Sequence, residues 1–112
     1  MRVLVCGGRD YADWNRLCGV LDDTDPPITL IIHGKARGVD TMASEWAEIS
    51  GIPAIAFPAS WKLHGVAAGP IRNQKMLDEG KPDLVIAFPG RKGTADMVRR
   101  AKAAGVQVME FR

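Results

Sequence analysis

The chain has 112 residues, of which 46% are hydrophobic and 25% charged, and its formal net charge is +2. This length predicts one domain with its own hydrophobic core. The small net charge gives no support to a nucleic-acid-binding protein, and no apolar run reaches the roughly 20 residues of a membrane-spanning helix. The N-terminal segment also lacks the pattern of a signal peptide, so we expect a cytoplasmic protein.

Short apolar segments alternate with amphipathic ones along the whole chain. Five predicted strands cover residues 2–6, 28–33, 53–57, 83–88 and 106–110. Four predicted helices cover 11–21, 39–49, a segment from Pro70 to Gly80, and one from Thr94 to Gly105. Near-continuous apolar strands are typical of a parallel sheet that is covered on both faces. We therefore predict an α/β protein with one three-layer Rossmann-like domain and a five-stranded parallel sheet in the order 3-2-1-4-5.

Capping residues predict where the helices begin and end. Asp10 is the predicted N-cap of the first helix and Thr94 that of the fourth, while Pro70 is the predicted first residue of the third. Gly51 is expected to end the second helix. The remaining connection, residues 58–69, is long enough to be a functional loop.

Four further side chains are expected in the core because they fall in a strand or on apolar helix faces: Cys6, Cys18, Trp14 and Trp46. The cations of the last helix are expected to form a solvated face, and these are Arg99, Arg100 and Lys102.

Three glycine-rich segments follow strands one, two and four, and each opens a helix. They are the GGRD segment (residues 7–10), the HGKARGVD segment (33–40) and the PGRKGT segment (89–94). In a doubly wound sheet, ligands bind outside the carboxyl ends of the strands where the strand order reverses, here between strands one and four. Glycine lets backbone N–H groups approach an anion, and helix N-termini add partial positive charge. The cations on this rim are Arg9, Lys35, Arg37, Arg91 and Lys92, which Arg72 can join, so we predict a site for a phosphate or carboxylate.

Familiar phosphate motifs are absent from these segments. The chain has neither a Walker sequence nor G-x-G-x-x-G, and His33 and Gly34 stand where a dinucleotide-binding protein has its ribose-binding acid. Dinucleotide binding and P-loop ATPase activity are therefore disfavoured. No residue cluster has the spacing of metal ligands, so we expect neither a metal nor a cofactor.

The order of four sequence blocks resembles the SLOG superfamily, and most of all its YspA/YpsA-related branch. The blocks are CGGRDY, HGKARGVDTMASEWA, PASWKLHGVAAGPIRNQKML and AFPGRKGTADM. The resemblance implies a Rossmann-like domain that binds nucleotides or nucleotide-derived ligands, and it also implies a homodimer. The superfamily includes DprA, which handles single-stranded DNA, and the Lonely Guy phosphoribohydrolases, which cleave the N-glycosidic bond of nucleoside 5′-monophosphates.

The phosphoribohydrolase motif P-G-G-x-G-T-x-x-E is only partly retained. Arg91 replaces its second glycine, and its glutamate falls on Met97, which cannot act as an acid or base. Asp96 is adjacent, but a helix turns its side chains by about 100° per residue. The loops and the resemblance together give a predicted ligand-binding set: Gly7, Gly8, Arg9, Gly34, Arg37, Gly38, Arg72, Asn73, Pro89, Gly90, Gly93 and Thr94.

Three residues are candidates for proton transfer, namely Asp10, Asp40 and His33. Each also has a structural alternative, because the acids can cap helices and the histidine can hydrogen-bond loop backbone. Trp61 can stack on a base or anchor its loop to the domain.

The sequence thus predicts binding of a nucleotide-like phosphate ligand by a sensor or carrier. The alternative is a phosphoribohydrolase-like N-glycosidase. Single-stranded DNA binding is a weaker third hypothesis, because the net charge is modest and the loops carry few aromatic residues. We expect no membrane partner.

Overall fold

A computed structural model describes residues 1–112 and contains one five-stranded parallel sheet in the order β3-β2-β1-β4-β5. The strands are β1 (Arg2–Cys6), β2 (Leu30–His33), β3 (Ala54–Ala56), β4 (Leu84–Ala87) and β5 (Gln107–Glu110). The helices are α1 (Trp14–Asp22), α2 (Val39–Ser50), α3 (Trp61–His64), α4 (Ala68–Gly80) and α5 (Lys92–Ala103). The predicted Rossmann-like architecture and strand order are confirmed.

Alternating residues of the central strands supply two hydrophobic clusters, one on each face of the sheet. Val3 and Val5 pack with α1 and α2, whereas Leu4 and Cys6 pack with α4 and α5. This division creates the three layers. Trp46 is buried, and its indole N–H donates to Asp22 Oδ1 over 2.9 Å, which ties α2 to α1.

The remaining side chains expected in the core lie at its margin. Trp14 and Cys18 are half-buried against the α1/α2 cluster, and Cys6 and Cys18 are free thiols. All three residues of β3 and three of the four in β5 are exposed. Helices therefore cover both faces at the centre of the sheet, as expected, whereas the edge strands β3 and β5 remain largely exposed.

Three of the four predicted helix starts need correction, whereas α2 begins at Val39 as predicted. Asp13, not Asp10, caps α1, because its Oδ1 accepts from Arg16 N over 3.1 Å. Helix α5 begins at Lys92, so Thr94 lies inside the first turn and is not the N-cap. Pro70 is likewise the third residue of α4. The first turn tolerates proline because its N–H groups have no partner within the helix. Gly51 does end α2, in a left-handed conformation with φ 71°.

Residues 58–69 are not an open loop. They contain α3 and a 3₁₀ turn at Gly65–Ala67 that leads directly into α4. The local reason is the run of helix-compatible residues on either side of Gly65, which interrupts the helix with φ 55°. Trp61 is consequently presented from a helix.

None of the helices combines the length and the apolar character that crossing a lipid bilayer requires.

Candidate functional site

The glycine-rich segments converge on one cleft of about 1050 Å³ at the carboxyl ends of β1 and β4. Its walls come from four parts of the chain: residues 6–11, 36–40, 61–76 and 89–97. Strand order reverses between these strands, and the connections diverge from that point. The structure therefore places the cleft where the topology predicts a ligand site.

The loops around the cleft are held together by their backbones. Gly8 N donates to Pro89 O over 2.8 Å, and Val39 N donates to Gly8 O over 3.3 Å. Gly38 has φ 78°, and a Cβ atom there would collide with the carbonyl oxygens of Gly8 and Arg9. The glycines thus allow three loops to pack against one another, in addition to leaving backbone open toward the cleft.

Five cations line the cleft: Arg9, Arg37, Arg72, Arg91 and Lys92. Arg37 Nη2 lies 3.3 Å from Asp10 Oδ1, but both side chains are more than two-thirds exposed, so this ion pair contributes little stability. Lys35 is exposed with φ 56° and is not part of the lining. Three carboxyl groups also line the cleft, those of Asp10, Asp40 and Asp96, so the five cations exceed the acids by two.

Arg72 is the most enclosed of these cations. Its Nη1 donates to Gly34 O over 2.6 Å and its Nε donates to Asn73 Oδ1 over 3.0 Å. Nη2 makes no hydrogen bond within the protein and is free for a ligand. Burial lowers the pKa of Arg72, with Asp40 opposing the change, but a guanidinium remains charged at neutral pH. A side chain at Gly34 would collide with this guanidinium, which explains the glycine there.

Asp40 lies in the first turn of α2 and is 7% exposed. Its Oδ2 accepts from Gly34 N and Ala36 N, each over 3.1 Å, and this contact shapes the HGKARGVD segment. Burial raises the pKa of Asp40 to about 6, although these N–H groups and the charges of Arg72 and Arg9 lower it in part. Oδ1 accepts no hydrogen bond from the protein. Asp40 thus has a structural role and one unoccupied oxygen at a cleft wall.

His33 does not reach the cleft. It is 5% exposed, and its Nδ1 accepts from Lys35 N over 3.0 Å, so it has the backbone-bonding role offered as its alternative. Burial and the charge of Lys35 lower the pKa of its imidazole. Gly34 and Gly38 also lie behind the lining, where they support Arg72 and the neighbouring loop.

Two comparisons with known proteins bear on this cleft. The family described as "YAcAr: YspA, cpYpsA-related SLOG family" matches residues 1–64. The chain belongs to this SLOG family. It is also similar to the Gene 61 protein of Mycobacterium phage D29, with 36% identity over 121 residues that cover 98% of this chain and 95% of the phage protein. The second match extends beyond residue 64 and therefore includes α4 and the PGRKGT segment.

The SLOG cleft has an apolar wall where the phosphoribohydrolase motif places its glutamate. Met97 is 1% exposed and lines the cleft together with Met76. Trp61 also lines the cleft and is 49% exposed, and its ring centroid lies 5.8 Å from the guanidinium carbon of Arg9. The aromatic face and the methionines can receive the uncharged part of a ligand.

Sequence reasoning missed several residues of this SLOG cleft: Tyr11, Val66, Met76 and Asp96 all contribute to its walls. Met76 follows Arg72 by one helical turn, a spacing that could have indicated a shared face. Asp96 borders the cleft despite its rotation from Met97, because residues 92–94 of the first turn of α5 line the cleft as well. Arg100, predicted on a solvated face, is half-buried and contacts Asp96.

No group of three or more His, Cys, Asp or Glu side chains is arranged to hold a metal ion.

Proposed function

We propose that the cleft binds a nucleotide or nucleotide-derived phosphate ligand, and that the protein acts as a sensor or carrier of it. The observation that carries this proposal is the half-buried guanidinium of Arg72, with Nη2 unpaired, among four other cations of one cleft. The unpaired Nη2 is a charged donor, and hydrogen bonds from a charged donor to a phosphate oxygen are among the stronger ones in proteins. Membership of the SLOG family supports a nucleotide-related function.

The size and chemistry of the cleft suit more than a bare phosphate. Its volume of about 1050 Å³ lies at the upper end of the range for small-molecule sites. In the proposed arrangement the phosphate contacts Arg72 and the PGRKGT segment. The base lies near Trp61 and Met76, which offer stacking and apolar contact.

The test is a titration of purified protein with nucleoside 5′-mono- and diphosphates, followed by calorimetry and thermal shift. A ligand that prefers the folded state raises the melting temperature. Arg72→Ala is expected to weaken binding by about tenfold or more, since a charge-assisted hydrogen bond contributes roughly 1.5–3 kcal/mol.

The matched control is Lys75→Ala, which removes one exposed cation from the same helix outside the cleft. It is expected to bind as the wild-type protein does. Equal affinities for the Arg72 and Lys75 variants would contradict the proposed site.

One observation favours a second candidate, an N-glycosidase acting on nucleoside 5′-monophosphates. The Asp40 carboxyl group is buried at the cleft wall with one oxygen unoccupied and a pKa of about 6, which suits general acid–base chemistry near neutral pH. The enzyme would release free base, and Asp40→Asn would abolish the release. A melting shift without free base supports the binding function instead.

A further inference from the structure

A chain of hydrogen bonds runs from the surface of α5 to Arg72. Asp96 Oδ2 accepts from Arg100 Nε over 2.8 Å and from Asn73 Nδ2 over 3.0 Å, while its Oδ1 accepts from Arg99 Nη2 over 2.6 Å. Arg100 Nη1 also donates to Gln74 Oε1 over 3.1 Å. The network therefore joins α4 to α5 at the cleft.

Asn73 is held in one orientation by this network. Its side-chain nitrogen donates both protons, to Gly93 O over 3.2 Å and to Asp96, so its oxygen faces Arg72 Nε over 3.0 Å. Rotating the amide by half a turn would place a second donor against that N–H. Asp96 thus helps to determine which atom of Asn73 meets Arg72.

Arg72 is fixed as a consequence. Its Nε is bound by Asn73 and its Nη1 by Gly34 O, and these two contacts on a planar group leave Nη2 in a defined direction. The same asparagine contacts the backbone of the PGRKGT segment through Gly93. Asn73 therefore contacts both the Arg72 guanidinium and the PGRKGT segment and holds them in a fixed relative position.

We propose that Asp96, held by Arg100, is a positioning residue that orients Asn73 and through it the guanidinium of Arg72. This inference rests on the proposed function, in which an anion binds at Arg72. Asp96 immediately precedes Met97, and its carboxylate is occupied by three donors. It therefore organises the site and is not a free acid.

The ionisation of Asp96 agrees with this role. Burial raises the pKa of its carboxyl, but the hydrogen bonds from Asn73 and Arg100 and the charges of Arg100 and Arg99 outweigh that effect, so the pKa lies below its ordinary value. The carboxylate accordingly remains charged at neutral pH.

Removing this carboxylate distinguishes a positioning role from a purely electrostatic one, because the two predict opposite changes in the affinity for an anion. Coulombic attraction alone predicts that an anion binds more tightly when a negative charge leaves the cleft wall. Positioning predicts weaker binding, because Asn73 and Arg72 lose their fixed geometry. Alanine is a good helix residue, so Asp96→Ala introduces no propensity cost in α5.

The first measurement needs no ligand. The Nε–H resonance of Arg72, assigned by its disappearance in Arg72→Lys, is expected to shift and to exchange faster with water in Asp96→Ala. Glu79→Ala, which removes an exposed carboxylate of α4 that is paired with Lys75 outside the cleft, is expected to leave it unchanged. An unchanged resonance in Asp96→Ala would overturn the proposal.

The second measurement is a titration with adenosine 5′-monophosphate. Asp96→Ala is expected to bind at least about fivefold more weakly than the wild-type protein, while Asp96→Asn regains most of the loss. The asparagine can recover because its oxygen can occupy the Oδ2 position and leave only the exposed Arg99 without a partner. Equal or tighter binding by Asp96→Ala would overturn the proposal.

If Asp96→Ala fails to fold, variants of Arg100 and Arg99 provide a second test of the proposal. Both contact Asp96 and neither lines the cleft, but the Arg100 side chain is 26% exposed and that of Arg99 is 69% exposed. Arg100→Met is expected to weaken binding more than Arg99→Met, and equal effects would contradict the proposal. If the Arg72 resonance shifts as expected but the wild-type protein binds no nucleotide, the positioning network is supported and the proposed function fails.

Discussion

Gly38 holds the HGKARGVD segment against the GGRD segment with φ 78° and ψ −123°, a backbone conformation that other residues avoid. The carbonyl oxygens of Gly8 and Arg9 occupy the space where a Cβ would lie. Gly19 is different: it lies in α1, and nothing surrounds its Cβ position within 4 Å. Replacing glycine by alanine is therefore expected to have opposite effects on stability at these two positions.

We expect Gly38→Ala to lower the free energy of unfolding by roughly 2–6 kcal/mol, because backbone strain and overpacking each cost about 1–3 kcal/mol. Gly19→Ala should raise it by about 0.5–1 kcal/mol through helix propensity. Urea denaturation followed by tryptophan fluorescence measures both variants. Changes of the same sign would contradict this account of the loop contact.

Asp40 makes stability depend on pH in an unusual direction for an acid. Its pKa is about 6 in the folded state, above the ordinary 3.8, so the folded protein binds the proton more tightly than the unfolded chain does. The contribution of Asp40 to stability therefore falls as pH rises from about 4 to about 6, by up to roughly 3 kcal/mol.

Asp40→Asn should remove this dependence, since the amide oxygen can still accept from Gly34 N and Ala36 N. Measured by urea unfolding, the stability of the variant relative to the wild-type protein is expected to increase between pH 4 and pH 6 and then stay constant. Other titrating groups, including His33, are present in both proteins and cancel. If the difference in the free energy of unfolding between the two proteins does not vary with pH, Asp40 does not titrate in this range.

At the scale of elements, helix ends were predicted better than helix starts. Gly51 was predicted correctly because a left-handed C-cap selects glycine through its own backbone. N-caps are harder to predict because several polar residues precede each helix, and the tertiary path of the chain decides which one adopts the cap geometry. In the turn that precedes α1, Asp10 contacts Arg37, and Asp13 is the residue that caps the helix.

Asp13→Ala should consequently lower the free energy of unfolding by about 1 kcal/mol, the usual value of an N-cap side chain. Asp10→Ala should change it by less than about 0.5 kcal/mol, because its ion pair with Arg37 is exposed. Thermal or urea unfolding of the two variants distinguishes them. A larger loss for Asp10→Ala would restore the capping assignment made from sequence.

At the scale of the whole molecule, charge is distributed unevenly. A net charge of +2 suggests a nearly neutral surface, yet five cations and only three acids line a single cleft. Salt screens the charges of the exposed cations, whereas it screens the charge of the half-buried Arg72 less. An anion bound mainly by Arg72 should retain much of its affinity at high ionic strength.

The homodimer implied by the SLOG resemblance remains a prediction at this scale. Sedimentation velocity over a dilution series is expected to show a species of twice the chain mass. A monomer at every concentration would contradict it.

The sequence alone determined the strand order and the edge of the sheet that carries the cleft. Apolar runs of strand length, separated by helical periods, leave few arrangements once crossovers are right-handed. In those arrangements, the segments that follow β1, β2 and β4 all lie at the same edge of the sheet, regardless of how their side chains pack. The prediction of the GGRD and PGRKGT segments as walls of one cleft follows from this rule.

Only the tertiary structure decided which polar groups face the cleft and which are occupied elsewhere. His33 turns to the backbone of its own loop, Asp40 is divided between loop and cleft, and Arg100 reaches back to Asp96. The physical reason is that hydrogen-bond partners lie far apart in sequence: Asn73 meets Gly93 and Arg72 meets Gly34. Local patterns do not encode such pairings, because packing of α4 against α5 and β2 brings the partners together.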